Sequence, residues 1–352
     1  MPPPMHCIGS VIPLPMARHK NIPIFIAHRG CPNQCVFCNQ KTISQSEEYS
    51  LADIKNTIED ALLHAKEDDA MEIAFFGGSF TGIERSEMIS LLTLANEYLQ
   101  KKKIVGIRLS TRPDYISNEI LDILEAYGVT DIELGVQSLS DTVLGACRRG
   151  HTKEQTLDAC RMILARQQFS LVGQMMLGLP SSTKEEELQT AAELFALGVH
   201  AIRIYPTIVL ANTPLADSQA KGEYTPLSLE DAVCRAAEII EMAERYGVPC
   251  LRIGLCENES LHQSGGMIQG PFHPAFGELV AGKIFLRKME RLLASTDCRD
   301  REITFYIPMG ARSKAAGHKN QNLNLLYHTF QPKRIRFSET ADLSGYCVSI
   351  GG

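Results

Sequence analysis

The stretch "HRGCPNQCVFCNQ", residues 28–40, places three cysteines within eight positions, directly after the apolar run "IPIFIA". Eleven cysteines spread over 352 residues would not be expected to fall at this spacing by chance. The spacing therefore indicates that Cys31, Cys35 and Cys38 bind one metal centre. It leaves open why there are three ligands and not four.

Two metal centres can be compared with this pattern. A structural zinc site needs four closed ligands, and the nearest candidate for a fourth is His28, with no further cysteine or histidine pair at zinc-finger spacing. In a 4Fe-4S cluster, three thiolates hold three irons and the fourth iron stays open for a substrate or cofactor. The three-cysteine pattern favours the cluster.

The bulk composition is that of an ordinary globular enzyme, with 44% hydrophobic and 22% charged residues and a net charge of -6. Such a charge gives no overall attraction to nucleic acid. We expect a disordered Pro-rich tail over residues 1–22. No segment resembles a signal peptide or reaches membrane-spanning length, which predicts a cytoplasmic protein without membrane contact. The other eight cysteines are scattered, and most are expected to be small buried thiols.

Apolar strand-like runs alternate with amphipathic helical segments after the cysteine motif. This alternation predicts a parallel sheet, and six strands make either an open sheet or a partial (β/α)6 barrel of the TIM type. Ligands of both architectures bind at the carboxyl ends of the strands. The predicted strands are "PIFIAH", "MEIAFF", "IVGIRLS", "VTDIELGV", "FSLVGQMML" and "AIRIYP".

Polar and glycine residues follow several of these strands. "GGSFTG" follows the second strand, and its two glycines permit close approach of a ligand to the backbone. Ser110 and Gln137 lie at the ends of the third and fourth strands, and the pair Arg148 and Arg149 precedes the next helix. We expect these groups to converge at one mouth of the sheet.

The cysteine spacing, with Phe37 before the third cysteine, resembles the signature of the radical S-adenosylmethionine (SAM) superfamily. The resemblance implies that the open iron binds SAM, and that one electron, from a donor such as flavodoxin or ferredoxin, produces a 5'-deoxyadenosyl radical. It also implies a set of cofactor-binding residues. Phe37 is equally well explained as a core residue, and Arg148 and Arg149 are more simply explained as a pair of surface residues. The set is Phe37, Gly77, Gly78, Ser79, Ser110, Gln137, Arg149 and Gln174.

Four stretches over residues 23–250 resemble the radical domain of the Elongator catalytic subunit, which modifies wobble uridines in transfer RNA. They are "FFGGSFTG", "STRPDY", "ELGVQS" followed by "RRGHT", and "IRIYPTIVLANTPLADSQAKGEYTPLSLEDAV". A weaker resemblance, through "GVQS" and "GLP", is to oxygen-independent coproporphyrinogen oxidases. The chain departs from both families at Ser110, where they carry glutamate, and at Gln174, where they carry histidine or aspartate. About a hundred residues follow the matched region, so we do not expect an acetyltransferase domain.

We expect the barrel to span residues 23–256 and to be followed by a linker and connecting helix over 257–299. His262 and His273 are candidate substrate contacts, although histidines in loops are more often surface residues. Residues 300–352 resemble a KH-type RNA-binding module, with "GHKN" as a degenerate G-x-x-G turn. The stretch from Arg301 to Phe337 contains seven basic residues and one acidic residue, Glu302, so its net charge is +6. This excess predicts RNA contact through residues 300–340.

The predicted function is thus a radical SAM enzyme acting on tRNA or another RNA. One alternative is a small-molecule radical enzyme of the coproporphyrinogen oxidase type, in which the basic segment is irrelevant. Another is a non-catalytic iron-sulfur RNA-binding protein. A methylthiotransferase is disfavoured because the remaining cysteines form no second triad.

Overall fold

The computed structural model describes residues 18–26, 30–31, 35–39, 50–255 and 266–351. They form two compact units. The barrel unit comprises the described residues between 13 and 228 and between 248 and 272. The C-terminal unit comprises those between 229 and 247 and between 273 and 352. The predicted tail therefore falls largely outside the described residues, and its last five positions belong to the first strand.

A parallel sheet forms the centre of the barrel unit. Its strands lie in the order β1-β2-β3-β4-β5-β6-β8, and every neighbouring pair is parallel. A short antiparallel pair, β7 and β9, is separate from it. The strands are β1 Arg18–Phe25, β2 Asp69–Phe76, β3 Gly106–Thr111, β4 Asp131–Gln137, β5 Ser170–Leu177, β6 Ala201–Pro206, β7 Val209–Leu210, β8 Cys250–Ile253 and β9 Met267–Gln269.

Helices connect these strands, and side-chain caps define where several of them begin. Ser50, Thr152 and Thr183 each accept a hydrogen bond from the backbone three residues later and form a capping box. A capping box satisfies amides that would otherwise lack a partner. The helices of this unit are α1 Leu51–Leu63, α2 Arg85–Gln100, α3 Asn118–Ala126, α4 Asp141–Ala146, α5 Lys153–Leu164, α6 Lys184–Leu197 and α7 Pro214–Ala220.

The sheet is curled into a half-barrel. The guanidinium of Arg203 on β6 lies over the ring of Phe76 on β2, 5.8 Å from its centroid. In a flat sheet these two strands would be roughly 19 Å apart, since four strand spacings separate them. The contact requires a concave face, which we call the lumen. The predicted partial TIM-type barrel is confirmed.

The half-barrel contains one strand more than the sequence indicated. Residues Cys250–Ile253 pair in parallel with β6, whereas the last barrel strand that we predicted from the sequence was "AIRIYP". This strand is four residues long, and Leu251 is exposed, so it lacks the buried apolar pattern of the other strands. This edge strand therefore forms because its backbone pairs with β6, and the periodicity of its side chains gives no sign of it.

The C-terminal unit contains two long helices and a three-stranded sheet. Its central strand β10 pairs with β11 in parallel and with β12 antiparallel. Residues 302–340 form a strand, a helix, the "GHKN" turn, a second helix and a second strand. The elements are α8 Leu229–Tyr246, α9 Phe276–Ala294, β10 Glu302–Pro308, α10 Arg312–Ala316, α11 Gln321–Phe330, β11 Arg334–Thr340 and β12 Ser349–Gly351.

Ion pairs and apolar contacts hold this unit together. Arg287 on α9 contacts Glu238 and Glu241 on α8, and Lys288 contacts Glu244 at 2.8 Å. Buried side chains of α9 pack with β10, including fully buried Phe285. None of the helices in the described part of the chain is both long and apolar enough to cross a bilayer.

Candidate active site

The structure describes residues 30–31 and 35–39 of the cysteine motif, which we call the cysteine loop, with a turn at Val36 and Phe37. The Cys38 amide donates a 3.0 Å hydrogen bond to the carbonyl of Cys35, so these two cysteines share one tight turn. Cys35 is buried, and Cys31 and Cys38 are half-buried. Within the described residues, no three His, Cys, Asp or Glu side chains lie close enough together to hold a metal ion. His28 lies outside those residues.

Gly30 fixes the cysteine loop against the loop that follows β2. Its φ is +69°, and a Cβ at this position would lie 2.1 Å from the carbonyl oxygen of Ser79. A Cβ at Gly82 would likewise lie 2.5 Å from the carbonyl oxygen of Gly30. Only residues without side chains allow two backbones to approach so closely. The segment "GGSFTG" thus determines where Cys31 lies.

Ser79, a predicted cofactor ligand, uses its hydroxyl inside the protein. The side chain is fully buried, 2.9 Å from the hydroxyl of Thr111, and it accepts a hydrogen bond from the amide of Arg112. Thr81 lies 2.5 Å from the same Thr111 hydroxyl. These hydroxyl groups join the loops after β2 and β3, so the Ser79 side chain stabilises the position of one loop against the other.

Three predicted cofactor residues adopt left-handed backbone conformations. Gly77 and Gly78, with φ of +78° and +55°, follow β2 and are half-buried. Gln137 has φ +63° at a register shift between β4 and β5. Such a conformation is strained for a residue other than glycine, and strain of this kind concentrates at functional sites. The buried Oε1 atom of Gln137 has no hydrogen-bond partner among the described residues.

Arg149 is the buried member of the arginine pair, and Arg148 is exposed. The guanidinium of Arg149 donates to the Sγ atom of Cys35 at 3.2 Å and to the carbonyl of Gly135 at 2.7 Å. Its Nε donates to Nε2 of His151. Arg149 therefore connects the cysteine loop to the end of β4.

Arg112 belongs to the site, although we assigned it no role from the sequence. It forms a bidentate ion pair with Asp114 and donates to the carbonyl of Arg149. Its electrostatic interaction with Cys31 opposes the effect of burial, which raises the pKa of that thiol. The Nη1 atom of Arg112 is buried without a partner among the described residues. Its position at the end of β3, within "STRPDY", was the available signal.

His151 supports Arg149 as a neutral imidazole. Since Nε2 accepts a hydrogen bond from Arg149, the ring proton is on Nδ1, which faces the hydroxyl of Thr156 at 3.2 Å. Burial, followed by the charge of Arg149, lowers the pKa of His151 to about 4. The histidine holds the arginine in place, a role that the "RRGHT" motif alone did not reveal.

Gln174 and Ser110 meet on the lumen face. The Nε2 atom of Gln174 donates to Glu133 at 2.8 Å and to Ser110 at 3.4 Å. Glu133, almost fully buried, also accepts hydrogen bonds from Arg108 and from Arg203. The carboxylate that is absent from position 110 is thus present on the adjacent strand, because Ser110 and Glu133 are paired in register.

Phe37 packs into a cluster of apolar residues behind the cysteine loop. This cluster includes Val36 and Leu215, and the Leu215 amide donates to the carbonyl of Val36 at 2.9 Å. The side chain of Asn39 donates to the carbonyl of Ala211. The stretch "VLANTPLA" therefore supports the cysteine loop from behind, which explains why a distant segment resembles the same family as the motif.

A fourth cysteine lies beside the loop. The carbonyl of Cys147 accepts a hydrogen bond from the amide of Val36, and the Cys147 side chain is fully buried in the same apolar cluster. Burial, and then the proximity of Cys35, raises the pKa of Cys147 to about 12. The backbone carbonyl of Cys147 therefore supports the cysteine loop, and its thiol lies in the apolar cluster.

Of the two histidines suggested as substrate contacts, the structure describes His273. It accepts a hydrogen bond from the amide of Ala275, just before α9 in the C-terminal unit. His262 lies outside the described residues.

The basic residues of the C-terminal unit are exposed or half-buried, and several are paired. Arg301 contacts Asp297, Lys314 contacts Glu278, and Arg336 contacts Glu302. Two of these acids lie outside the stretch from Arg301 to Phe337, so the local positive charge is smaller than the sequence suggested. No ion pair among the described residues includes the other four basic side chains of this stretch: Arg312, Lys319, Lys333 and Arg334.

The "GHKN" turn adopts the backbone that its glycine-like pattern predicts. Asn320, at the position of the second glycine, has φ +61°, and Lys319 has φ +49°. Asparagine tolerates this conformation better than most residues. Asn322 is buried and donates to the carbonyls of Gly282 and Ala315, which fixes the turn to α9 and α10.

Two family patterns match this chain. The Radical SAM superfamily matches residues 25–194, and the Radical_SAM C-terminal domain matches residues 199–285. Together they cover the cysteine loop, the strand ends that surround it and the helix α8. The chain belongs to the radical SAM superfamily, whose members generally bind a 4Fe-4S cluster and SAM.

Relatives identify the branch of the superfamily. The chain is 31% identical over 147 residues to the tRNA uridine(34) acetyltransferase of Methanocaldococcus infernus, which covers 41% of this chain and 27% of that protein. It is 33% identical over 144 residues to human Elongator complex protein 3, 40% of this chain and 26% of that protein. The chain is thus homologous to the radical domain of these proteins, and the match spans about a quarter of their length.

Two further relatives match over more of their length. An uncharacterized protein of Methanocaldococcus jannaschii is 29% identical over 229 residues, covering 62% of this chain and 70% of that protein. The solved structure of Methanocaldococcus infernus Elp3 with an N-terminal deletion superimposes with a TM-score of 0.59 at 20% identity, covering 82% of this chain and 66% of that one. This structural likeness confirms the fold class.

Proposed function

We propose that the protein binds a 4Fe-4S cluster through Cys31, Cys35 and Cys38 and a SAM molecule beside it. Gly77 and Gly78 would offer their backbone to the cofactor. The other residues that would hold it are Phe37, Ser110, Gln137, Arg149 and Gln174. When bound, this cofactor pair supplies a 5'-deoxyadenosyl radical that abstracts hydrogen from a substrate, with the electron coming from an external donor such as flavodoxin or ferredoxin.

The observation that carries this proposal is the hydrogen bond from Arg149 to the sulfur of Cys35. A guanidinium aimed at a sulfur compensates the negative charge that thiolate ligands carry. Two buried polar atoms nearby, Nη1 of Arg112 and Oε1 of Gln137, have no partner among the described residues. Because buried polar atoms are almost always paired, they support a polar ligand in this position. These two atoms and the contact of Arg149 with Cys35 support the proposal.

The first test is SAM cleavage by the anaerobically reconstituted and reduced protein. We expect 5'-deoxyadenosine, detected by mass spectrometry, and none from the Cys35→Ala variant. If the wild type binds zinc, or forms a cluster whose electron paramagnetic resonance signal does not change on addition of SAM, this proposal is wrong.

We also propose that the substrate is RNA, and in particular tRNA. Two observations support it: the relatives include proteins named for tRNA uridine(34), and four of the seven basic side chains between Arg301 and Phe337 are in no ion pair within the described residues. In this proposal the C-terminal unit binds phosphate groups while the barrel carries out the chemistry.

The salt dependence of tRNA binding tests this assignment. Replacing Arg312, Lys319, Lys333 and Arg334 by glutamine should reduce the slope of log K against log salt by about 0.7 for each phosphate that is no longer neutralised. An unchanged slope and affinity would contradict RNA binding by this surface.

A second candidate is a small-molecule radical enzyme. One observation favours it: three of the seven basic residues between Arg301 and Phe337 are paired with acids, which weakens the attraction to a polyanion. It predicts SAM cleavage by a protein that binds tRNA no more tightly than an equally charged control protein.

A further inference from the structure

Gln174 occupies a position where the families that this chain resembles carry histidine or aspartate. For an amide, unlike a carboxylate, it matters which of its two polar atoms faces a ligand. A carboxylate presents acceptors in every direction, whereas an amide presents either its oxygen or its nitrogen depending on its rotation. Whether Gln174 presents its amide oxygen or its amide nitrogen to a ligand therefore depends on which protein group binds the other of these two atoms.

The contacts on the lumen face determine this rotation. Glu133 lies between the guanidinium groups of Arg108 and Arg203, at 3.2 Å and 2.7 Å, so it is a carboxylate that can only accept hydrogen bonds. Only the Nε2 group of Gln174 can donate to it, as it does at 2.8 Å. The weaker contact of the same nitrogen with Ser110 agrees with this orientation. The amide oxygen of Gln174 must then point away from Glu133.

We infer that Glu133 is a positioning residue that makes Gln174 a pure hydrogen-bond acceptor toward the lumen and thereby selects a ligand that donates there. This inference rests on the proposed function and specifies the ligand group: a ribose hydroxyl of the SAM cofactor. No described residue donates a hydrogen bond to the Gln174 oxygen, and the side chain is half-buried, so the oxygen remains available. The pair Glu133 and Gln174 thus replaces a ligand-facing carboxylate.

The test is a double-mutant-type cycle in which residue 133 of the protein and a hydroxyl group of the ligand are each changed, and the binding affinity is measured for every combination. The probes are S-adenosylhomocysteine and its 2'-deoxy and 3'-deoxy forms, titrated anaerobically by calorimetry into reconstituted protein. The wild type should bind one deoxy form about tenfold more weakly, as expected for a missing hydrogen bond. In Glu133→Gln the amide of Gln174 can turn around, and the same deoxy form should lose less than about twofold. Equal losses in both proteins would overturn the inference.

A reciprocal exchange separates orientation from general damage. In Glu133→Gln/Gln174→Glu, residue 133 becomes the donor and residue 174 an acceptor in every direction, so binding and hydroxyl discrimination should recover to within about threefold of wild type. The single Gln174→Glu variant places two carboxylates together and should bind weakly. Failure of the double variant to recover, with a wild-type melting profile, would contradict the proposed role.

Two further variants keep the result interpretable. Ser110→Ala removes the 3.4 Å contact with Gln174 but keeps the contact of Gln174 with Glu133, so its discrimination between the deoxy forms should match that of wild type. If Glu133→Gln does not fold, Gln174→Met replaces it in the cycle, because a thioether is only a weak hydrogen-bond acceptor and discrimination should be lost. Wild-type protein that binds S-adenosylhomocysteine but does not discriminate between it and its deoxy forms overturns this inference alone. Wild-type protein that binds neither S-adenosylhomocysteine nor SAM overturns the proposed function as well.

Discussion

The mouth of the half-barrel and the basic surface of the C-terminal unit differ in how they use charged residues. At the mouth, Arg112 and Arg149 are buried, and each is hydrogen-bonded to several backbone or side-chain groups. In the C-terminal unit, Arg312 and Lys319 are exposed, and no ion pair within the described residues includes them. The buried arginines fix the positions of the groups around them, whereas the exposed basic residues contribute only a positive electrostatic potential.

This contrast predicts different consequences of substitution. Removing a buried, hydrogen-bonded group leaves its partners unsatisfied, which costs about 1–3 kcal/mol for each of them. An exposed charge is screened by solvent and salt, and its removal changes association more than stability.

The largest effect is expected at the cysteine loop itself. Cys35→Ala should abolish assembly of the cluster, measured as iron and sulfide bound after anaerobic reconstitution. Cys147→Ala is the matched control, because Cys147 is also buried beside the same loop but lies outside the three-cysteine motif. It should retain the cluster. Loss of iron from this control would make Cys147 a fourth ligand and contradict an open iron.

Substitution of Gly30 should unfold or strongly destabilise the barrel unit. In Gly30→Ala the new Cβ would overlap the carbonyl of Ser79 in a left-handed backbone, at a cost of about 3 kcal/mol in the free energy of unfolding. Chemical denaturation measures this loss. Gly145→Ala is the control: a Cβ at this helical glycine meets nothing within 4 Å, so the variant should be as stable as wild type or more stable. Equal stability of both variants would show that the close approach of the two loops is not essential.

The buried histidine should make the mouth sensitive to acid. The pKa of His151 is about 4 in the folded protein, against an ordinary value of 6.5, so below pH 6.5 the unfolded chain binds the additional proton. Stability is therefore lost as the pH falls from 6.5 toward 4, by about 2 kcal/mol between pH 7 and pH 5. Denaturant titrations of wild type and His151→Gln measure the difference. If both proteins lose the same amount over this interval, His151 is not the responsible group.

The smallest effect is expected on the basic surface. Lys319→Gln should weaken tRNA binding about two- to threefold and lower the salt slope by about 0.7, because one phosphate is no longer neutralised. Arg301→Gln is the matched control, since Asp297 lies 2.7 Å from its guanidinium and offsets its charge. A larger effect at Arg301 than at Lys319 would contradict the proposed RNA-binding surface.

Local patterns in the sequence were sufficient for the order of elements. The helix signals were strong because apolar residues recur at helical spacing and capping boxes mark three helix starts. The short helix Asp141–Ala146 and the edge strand Cys250–Ile253 were not predicted. Both are too short for periodicity to be visible, and packing or pairing with distant residues stabilises them.

Within the candidate site, the sequence determined which residues gather at the strand ends, because in a parallel sheet these ends share one edge. It also determined that Cys31, Cys35 and Cys38 form one motif. Only the tertiary structure decided how the side chains are used: Ser79 joins two loops, Arg149 donates to the sulfur of Cys35, and Glu133 orients Gln174. These roles depend on burial and on partners between 32 and 114 positions away along the chain, and no local pattern encodes such contacts.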